Sequence, residues 1–224
     1  MDETPPPDTF AERLQAAREA LFCEHVLAKS ASNVLLTTLG HGEAVEGWAH
    51  YPPDDVFDPE SGSLWYYHCH LPARDEREHG HFHCFVRPAG KGGPIHHLAG
   101  ISVDAAGRAY RLFTVNQWMA GDDFIEPERA GELLGRFDVQ LDRPSYLVNR
   151  WVSAILRLYE ADIRALLQTR AETLARHARE HGKTLAEVLD DRRLKVTSEA
   201  LIDLRDTART LERQTPADGG APRP

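Results

Sequence analysis

Long apolar runs are missing from this chain. None reaches the roughly 18 residues needed to cross a bilayer, and the opening stretch, Met1 to Asp8, is acidic and proline-rich where a secretory leader would be basic and then apolar. The expectation is a cytoplasmic protein with no membrane partner. Cysteine is scarce as well: Cys23, Cys69 and Cys84 leave one thiol unpaired under any disulfide scheme, which fits reducing surroundings and buried free thiols. Positive charge is in deficit, with 26 Lys and Arg against 35 Asp and Glu and a formal charge of -9. That balance disfavours nucleic acid and leaves small molecules, metals or proteins as partners. Nothing in the pattern speaks to oligomeric state.

Histidine is what the chain has in excess. Nine of its 12 histidines lie between His41 and His97, and clustered imidazoles point to metal binding, proton handling or a pH switch. The 224 residues, 42% of them hydrophobic, are enough for a sizeable core.

Thr9 and Glu12 form a capping box, and Phe10, Leu14, Leu21, Val26 and Leu27 recur at helical spacing, so a first helix is expected from Thr9 to about Lys29. Asn33 to Leu39 reads as a strand, and His41 to Ser63 as loop with a strand at Val45 to His50. Leu64 to Leu71, His79 to Arg87, His96 to Val103 and Arg108 to Trp118 read as four strands, the last two joined by a turn ending at Gly107. Beyond Asp123 the period becomes helical. Pro127 opens a helix to about Phe137, Pro144 opens a long one that stops near Gly182, and helices follow at Leu185 to Asp191 and Ser198 to Arg213. The fold class is α+β, an antiparallel β-meander of four or more strands flanked by an N-terminal helix and long C-terminal helices. One domain is expected over 9–214, with a β metal-site region at 33–118 and a helical region at 126–214, between disordered ends at 1–8 and 215–224.

Alternation assigns faces to the two histidine-bearing strands. Trp65, Tyr67, Cys69 and Leu71 share one face of the first and Phe82, Cys84 and Val86 one face of the second, leaving Tyr66, His68 and His70 opposite His79, His81, His83 and Phe85. Pairing His70 with His81 and His68 with His83 brings four imidazoles within reach of one ion. These four are the candidate metal ligands, with His50, His79, His96 and His97 as further candidates. All-nitrogen ligation suits iron or copper, which we favour, and also zinc or nickel. Threading the next strands onto the sheet places Gly100 near His83 and Arg111 beside Gly100, with open space over the glycine and Arg111 able to anchor a substrate carboxylate or phosphate. Tyr66 lines the same face and joins Arg111 as a candidate catalytic residue.

Several segments resemble known motifs. His79-Gly80-His81-Phe82-His83-Cys84-Phe85-Val86 resembles the histidine-triad signature of nucleotide hydrolases and transferases, which implies His81 as nucleophile with His79 and His83 beside it. Gly62 followed by His68-Cys69-His70 is similar to the opening of the first cupin metal motif, although Arg74 and Asp75 stand where that family places a glutamate and the second motif is absent. His177-Ala178-Arg179-Glu180-His181 matches an inverted zinc-peptidase pattern within a charged helix end, where a solvated face is the plainer reading. The chain from about residue 9 to 205 resembles an uncharacterised bacterial family, a domain of unknown function, on Tyr66 to His70, Gly80 to His83 and Leu112 to Trp118. That resemblance implies no activity. The residues themselves point to a histidine-ligated, metal-dependent enzyme, an oxidoreductase acting on a small molecule. The alternatives are a non-catalytic metal-binding or sensing protein and a nucleotide hydrolase or transferase.

Overall fold

The computed structural model describes residues 9–40, 45–70 and 77–215. The expected disordered ends, 1–8 and 215–224, lie outside these residues except for Thr215, as do His41 and most of the loop after His70. Helix α1 (Phe10–Lys29) starts at the expected capping box, where the Thr9 side chain accepts from the Glu12 backbone and Glu12 accepts from the Thr9 N–H at 2.7 Å.

The next segment corrects the sequence reading. Val34–Leu39 is a short helix, α2, because the Asn33 side chain accepts from the Leu36 N–H and caps it, and Gly40 ends it with a positive φ. A six-residue apolar run fits strand or helix equally by composition, and here the cap decides. Residues 45–50 carry no strand, whereas Tyr51–Phe57, expected as loop for its prolines, forms β1. It is an edge strand, where a missing N–H can face outward, and its register with its neighbour is irregular between Tyr51 and Val56.

Strands β2 (Ser63–His68), β3 (Gly80–Val86), β4 (His96–Val103) and β5 (Ala109–Val115) follow the expected meander, with Gly107 at a positive φ in the β4–β5 turn. A short helix α3 (Gln117–Ala120) and α4 (Pro127–Leu134) come next, Pro127 standing in the first turn. The long helix is interrupted at Tyr159, giving α5 (Tyr146–Leu158) and α6 (Glu160–His181). It begins at Tyr146, after Ser145, whose side chain caps the Val148 N–H, and not at Pro144. After α7 (Leu185–Leu189), a sixth strand, β6 (Val196–Leu201), pairs antiparallel with β5 and takes in Ser198 to Leu201, the expected start of a helix. Helix α8 (Leu204–Gln214) starts only after Asp203, which caps the Asp206 N–H. The result is one six-stranded antiparallel sheet in the order β1-β2-β3-β4-β5-β6, with helices before and after it.

One face of the sheet holds the core. Trp65, Tyr67, Phe82, Cys84, Ile101 and Leu112 are each fully buried. Helix α5 lies on them: the Phe82 and Trp151 rings are 5.6 Å apart, and the Trp65 indole N–H donates to Asn149 Oδ1 at 3.0 Å. Helix α6 is tied to the same sheet where the Ser198 hydroxyl donates to the Leu166 carbonyl at 2.8 Å. Each large side chain removed from water here contributes on the order of 1.5 to 3 kcal/mol. Cys69 and Cys84 sit on this apolar face, and burial raises both thiols above their ordinary range. Replacing Cys84 by alanine is expected to cost about 1 to 3 kcal/mol in denaturant unfolding without changing metal content. Rapid thiol labelling of the native protein would contradict the burial.

The opposite face carries the histidines, and two irregularities shape it. Strict alternation from Gly100 would turn His96 and Leu98 onto that face. A shift in the β3–β4 register between Cys84 and Phe85 places His97 opposite Phe85 instead, with rings 5.1 Å apart. A second shift, between Ser102 and Val103, leaves Tyr110 as the extra residue and lets its hydroxyl reach Glu78 at 3.4 Å.

Candidate metal centre

His68 ends β2 and His81 lies directly opposite it on β3, so the expected pairing of His70 with His81 is displaced by two residues, and Tyr66 faces His83. A two-residue displacement keeps every side chain on its own face, so the apolar pattern could not detect it. The Nε2 atoms of His68 and His81 are 2.7 Å apart. His70, just beyond the strand, completes the group: one nitrogen from each of His68, His70 and His81 lies within 4.8 Å of the others, and all three residues are buried. A buried trio of imidazoles so spaced can hold a metal ion, for which nitrogen distances of about 2.0 to 2.1 Å are usual.

The orientation of His81 is fixed from behind. Its Nδ1 donates to Glu78, which also receives the Arg111 guanidinium. With its proton committed to the carboxylate, the His81 ring keeps a lone pair on Nε2, the state a metal ligand requires. Burial acts to raise the Glu78 carboxyl. The hydrogen bond from His81 and the charges of His81, Arg111 and His70 outweigh it, so the group stays ionised to lower pH than usual. The Ser102 hydroxyl also approaches Glu78 at 3.4 Å.

His83 is not in the trio. Its ring centre is 4.8 Å from that of His81 and 5.0 Å from that of His68, and its Nδ1 shares a hydrogen bond of 3.0 Å with His97 Nε2. Burial, then neighbouring charge, holds both His83 and His97 well below the ordinary imidazole range: His81 and His97 act on His83, and Arg170 and His81 on His97. Both rings are therefore neutral near pH 7. The unfolded chain binds protons below about pH 6.5 while these two sites resist them, so stability is full above that pH and falls as the pH drops toward the folded values. Denaturant midpoints of the metal-free protein are expected to be lower at pH 5.5 than at 7.5. Equal midpoints would contradict this.

The remaining candidates are placed as follows. His50 stacks on Tyr66 at 3.7 Å and bonds Asp55 through Nδ1 at 2.8 Å. His79 precedes Gly80, where β3 begins, and its Nδ1 bonds the Tyr67 hydroxyl at 2.7 Å, so it does not stand with His81 and His83 as the nucleotide-transfer motif would need. His96 bonds the Asp123 carbonyl at 2.7 Å. Tyr66 sits between His50 and Phe85 within the histidine face. Arg111 pairs across the sheet with Ser102, not Gly100, and the space expected over Gly100 is filled by the Phe113 ring, which a Cβ there would overlap. Arg111 is thus bound to Glu78 and Glu199. His177 is engaged by Asp191 at 3.0 Å, away from the zinc-peptidase use its spacing suggested.

A cavity of about 160 Å³ opens beside the trio, its lining including His70, Glu78, His81, His83, Arg111 and Phe113 together with apolar Val115, Met119 and Val196. Trp48, exposed and held at a positive φ, meets the His70 ring edge-on at 4.1 Å.

A family described as a domain of unknown function, DUF6969, matches residues 14–202. The chain belongs to the DUF6969 family. No curated protein and no solved structure matches it. In this DUF6969 member the residues that the sequence does not single out include Glu78, which lies in a charged stretch that reads as an ordinary loop, Trp48 and Phe113. The only sequence signal for Glu78 was its position three residues before His81. The single six-stranded meander also differs from the double-sheet roll that the cupin-like opening would imply.

Proposed function

We propose that this protein is a metal-dependent enzyme that binds one transition-metal ion through His68, His70 and His81 and acts on a small molecule in the adjoining cavity. The observation that carries the reading is the His68–His81 pair, its Nε2 atoms 2.7 Å apart and the far nitrogen of His81 committed to Glu78. A carboxylate behind a ligand histidine raises its basicity and fixes its ring, a common arrangement in metal sites. Open space beside three ligands supports an enzyme over a storage or sensing site, where the coordination would be closed. About 160 Å³ is below the roughly 300 to 1,000 Å³ of ordinary ligand pockets, so the substrate is small.

Iron or copper is the preferred metal and oxidation or reduction the preferred chemistry, although the nitrogen donors also suit zinc and nickel. Support comes from the aromatic surroundings of Tyr66, Phe113 and Trp48, since limited solvent access is one means by which a protein tunes a metal's potential. Bound there, the ion would supply an electron-transfer or Lewis-acid centre. Tyr66 and Phe113 would exclude water, Glu78 would orient His81, and Arg111 would hold Glu78.

Elemental analysis of protein purified without a histidine tag tests the reading directly, with one iron or copper per chain expected. Glu78→Gln is expected to lower metal affinity by about 10- to 100-fold while leaving the fold in place. An unchanged affinity in competition with a chelator would remove Glu78 from the site.

A further inference from the structure

His83 lines the cavity beside the trio, yet its Nδ1 is committed to His97 Nε2 at 3.0 Å. Only one proton can lie between those two nitrogens, so one ring donates and the other accepts. Which one does so decides what His83 shows to the cavity. If His83 donates through Nδ1, its Nε2 carries a lone pair and the ring is a fourth ligand in waiting. If it accepts, its proton sits on Nε2 and it can only donate.

The other side of His97 settles the choice. His97 is almost fully buried, and its Nδ1 has no hydrogen-bond partner among the described residues. Arg170, equally buried, has an unpartnered Nε–H of its own. Both residues converge on Asp122: Arg170 Nη2 donates to its Oδ2 at 3.2 Å, and the His97 backbone N–H donates to the same oxygen at 3.2 Å. The Arg170 charge acts on the His97 ring and disfavours positive charge there, and an orphaned buried N–H on Nδ1 is costlier and rarer than an under-used acceptor. The His97 proton therefore belongs on Nε2, from which it donates to His83 Nδ1.

We propose that the chain Arg170–His97–His83 fixes His83 as an Nε2–H donor aimed into the cavity, so that His83 is not a metal ligand but binds an oxygen acceptor of the substrate, such as a carboxylate or carbonyl. The donor's target rests on the metal-enzyme reading above; the tautomer does not. His97 is reached only because the β3–β4 register shift turns it onto this face. Asp122 and Arg170 are positioning residues that act through it.

The test is nitrogen-15 NMR of the full chain labelled at histidine, in which Nδ1–H and Nε2–H tautomers are distinguished and His83 is assigned by its loss in His83→Phe. In metal-free protein, His83 and His97 are both expected as Nε2–H tautomers. After one equivalent of zinc, His83 should keep its Nε2 proton while His81 Nε2 moves to a metal-bound position. His97→Gln, whose amide N–H can replace the donor, should preserve the His83 tautomer, and His97→Leu should release it. Titration of zinc-loaded protein with formate should perturb His83 Nε2, and His83→Phe should weaken formate about tenfold. An Nδ1–H form of His83 in the native protein, or loss of its Nε2 proton on zinc binding, would overturn the proposal. Failure to take up zinc would instead count against the metal reading, and the metal-free spectrum would still decide the tautomer.

Discussion

Replacing any two of His68, His70 and His81 by alanine is expected to abolish stoichiometric metal binding and leave a folded protein. One imidazole cannot hold a transition ion against buffer and solvent, so the loss should be complete and not graded. The fold should survive because each histidine alternates with residues anchored in the core. Trp65, Tyr67 and Cys69 around His68, and Phe82 and Cys84 around His81, remain on the opposite face. Metal content by elemental analysis and helix and strand content by circular dichroism are the two measurements. The control is His83→Phe, which should keep its metal. Double variants that retain one ion per chain would sink the site as drawn.

Much of this arrangement is legible in the sequence, and the illegible parts have identifiable causes. Apolar alternation in Trp65, Tyr67, Phe82 and Cys84 fixes which face of each strand meets the core, because only one face can be buried against α5. It cannot fix register beyond a parity. Pairings that differ by two residues bury the same side chains, and the choice of His68 opposite His81 is made elsewhere, partly by Gly80, where any Cβ would collide with the Tyr67 hydroxyl and the His68 carbonyl. The bulges that turn His97 and Tyr110 toward the site break the very alternation that a strand reading depends on. Arg111 stands two residues from its expected place, opposite Ser102 and not Gly100, a displacement that again preserves the face. Strand β6 was read as helix because Asp203, the cap that starts α8, is an ordinary acidic residue within a charged stretch. Glu78 carries no pattern of its own, and only the folded hairpin shows it behind His81.

Asp122→Ala is expected to destabilise the protein by about 3 to 5 kcal/mol, more than any ordinary surface change. Arg170 and Asp122 are joined at 3.2 Å with side chains only 3% and 1% exposed, so removing the carboxylate strands a buried guanidinium. The pair is nevertheless a poor source of net stability. Burial raises the Asp122 carboxyl by more than the attraction of Arg170 and the hydrogen bonds from His97 and Arg170 lower it. A raised folded pKa means that the folded state favours the protonated acid. The contribution of Asp122 is thus most favourable below the unfolded value of about 3.9 and is lost as the pH rises through the folded one. At neutral pH the ionised carboxylate is held at a cost, which Arg170 offsets only in part. Replacing both partners with apolar residues, Asp122→Leu with Arg170→Met, should therefore recover most of the stability that Asp122→Ala loses, giving a large coupling between the two positions in a double-mutant cycle. Denaturant unfolding at pH 7 provides the measurement. Additive losses in the double variant would contradict the account of a costly pair, whereas recovery would imply that these two charges are kept for what they do to His97 and not for folding.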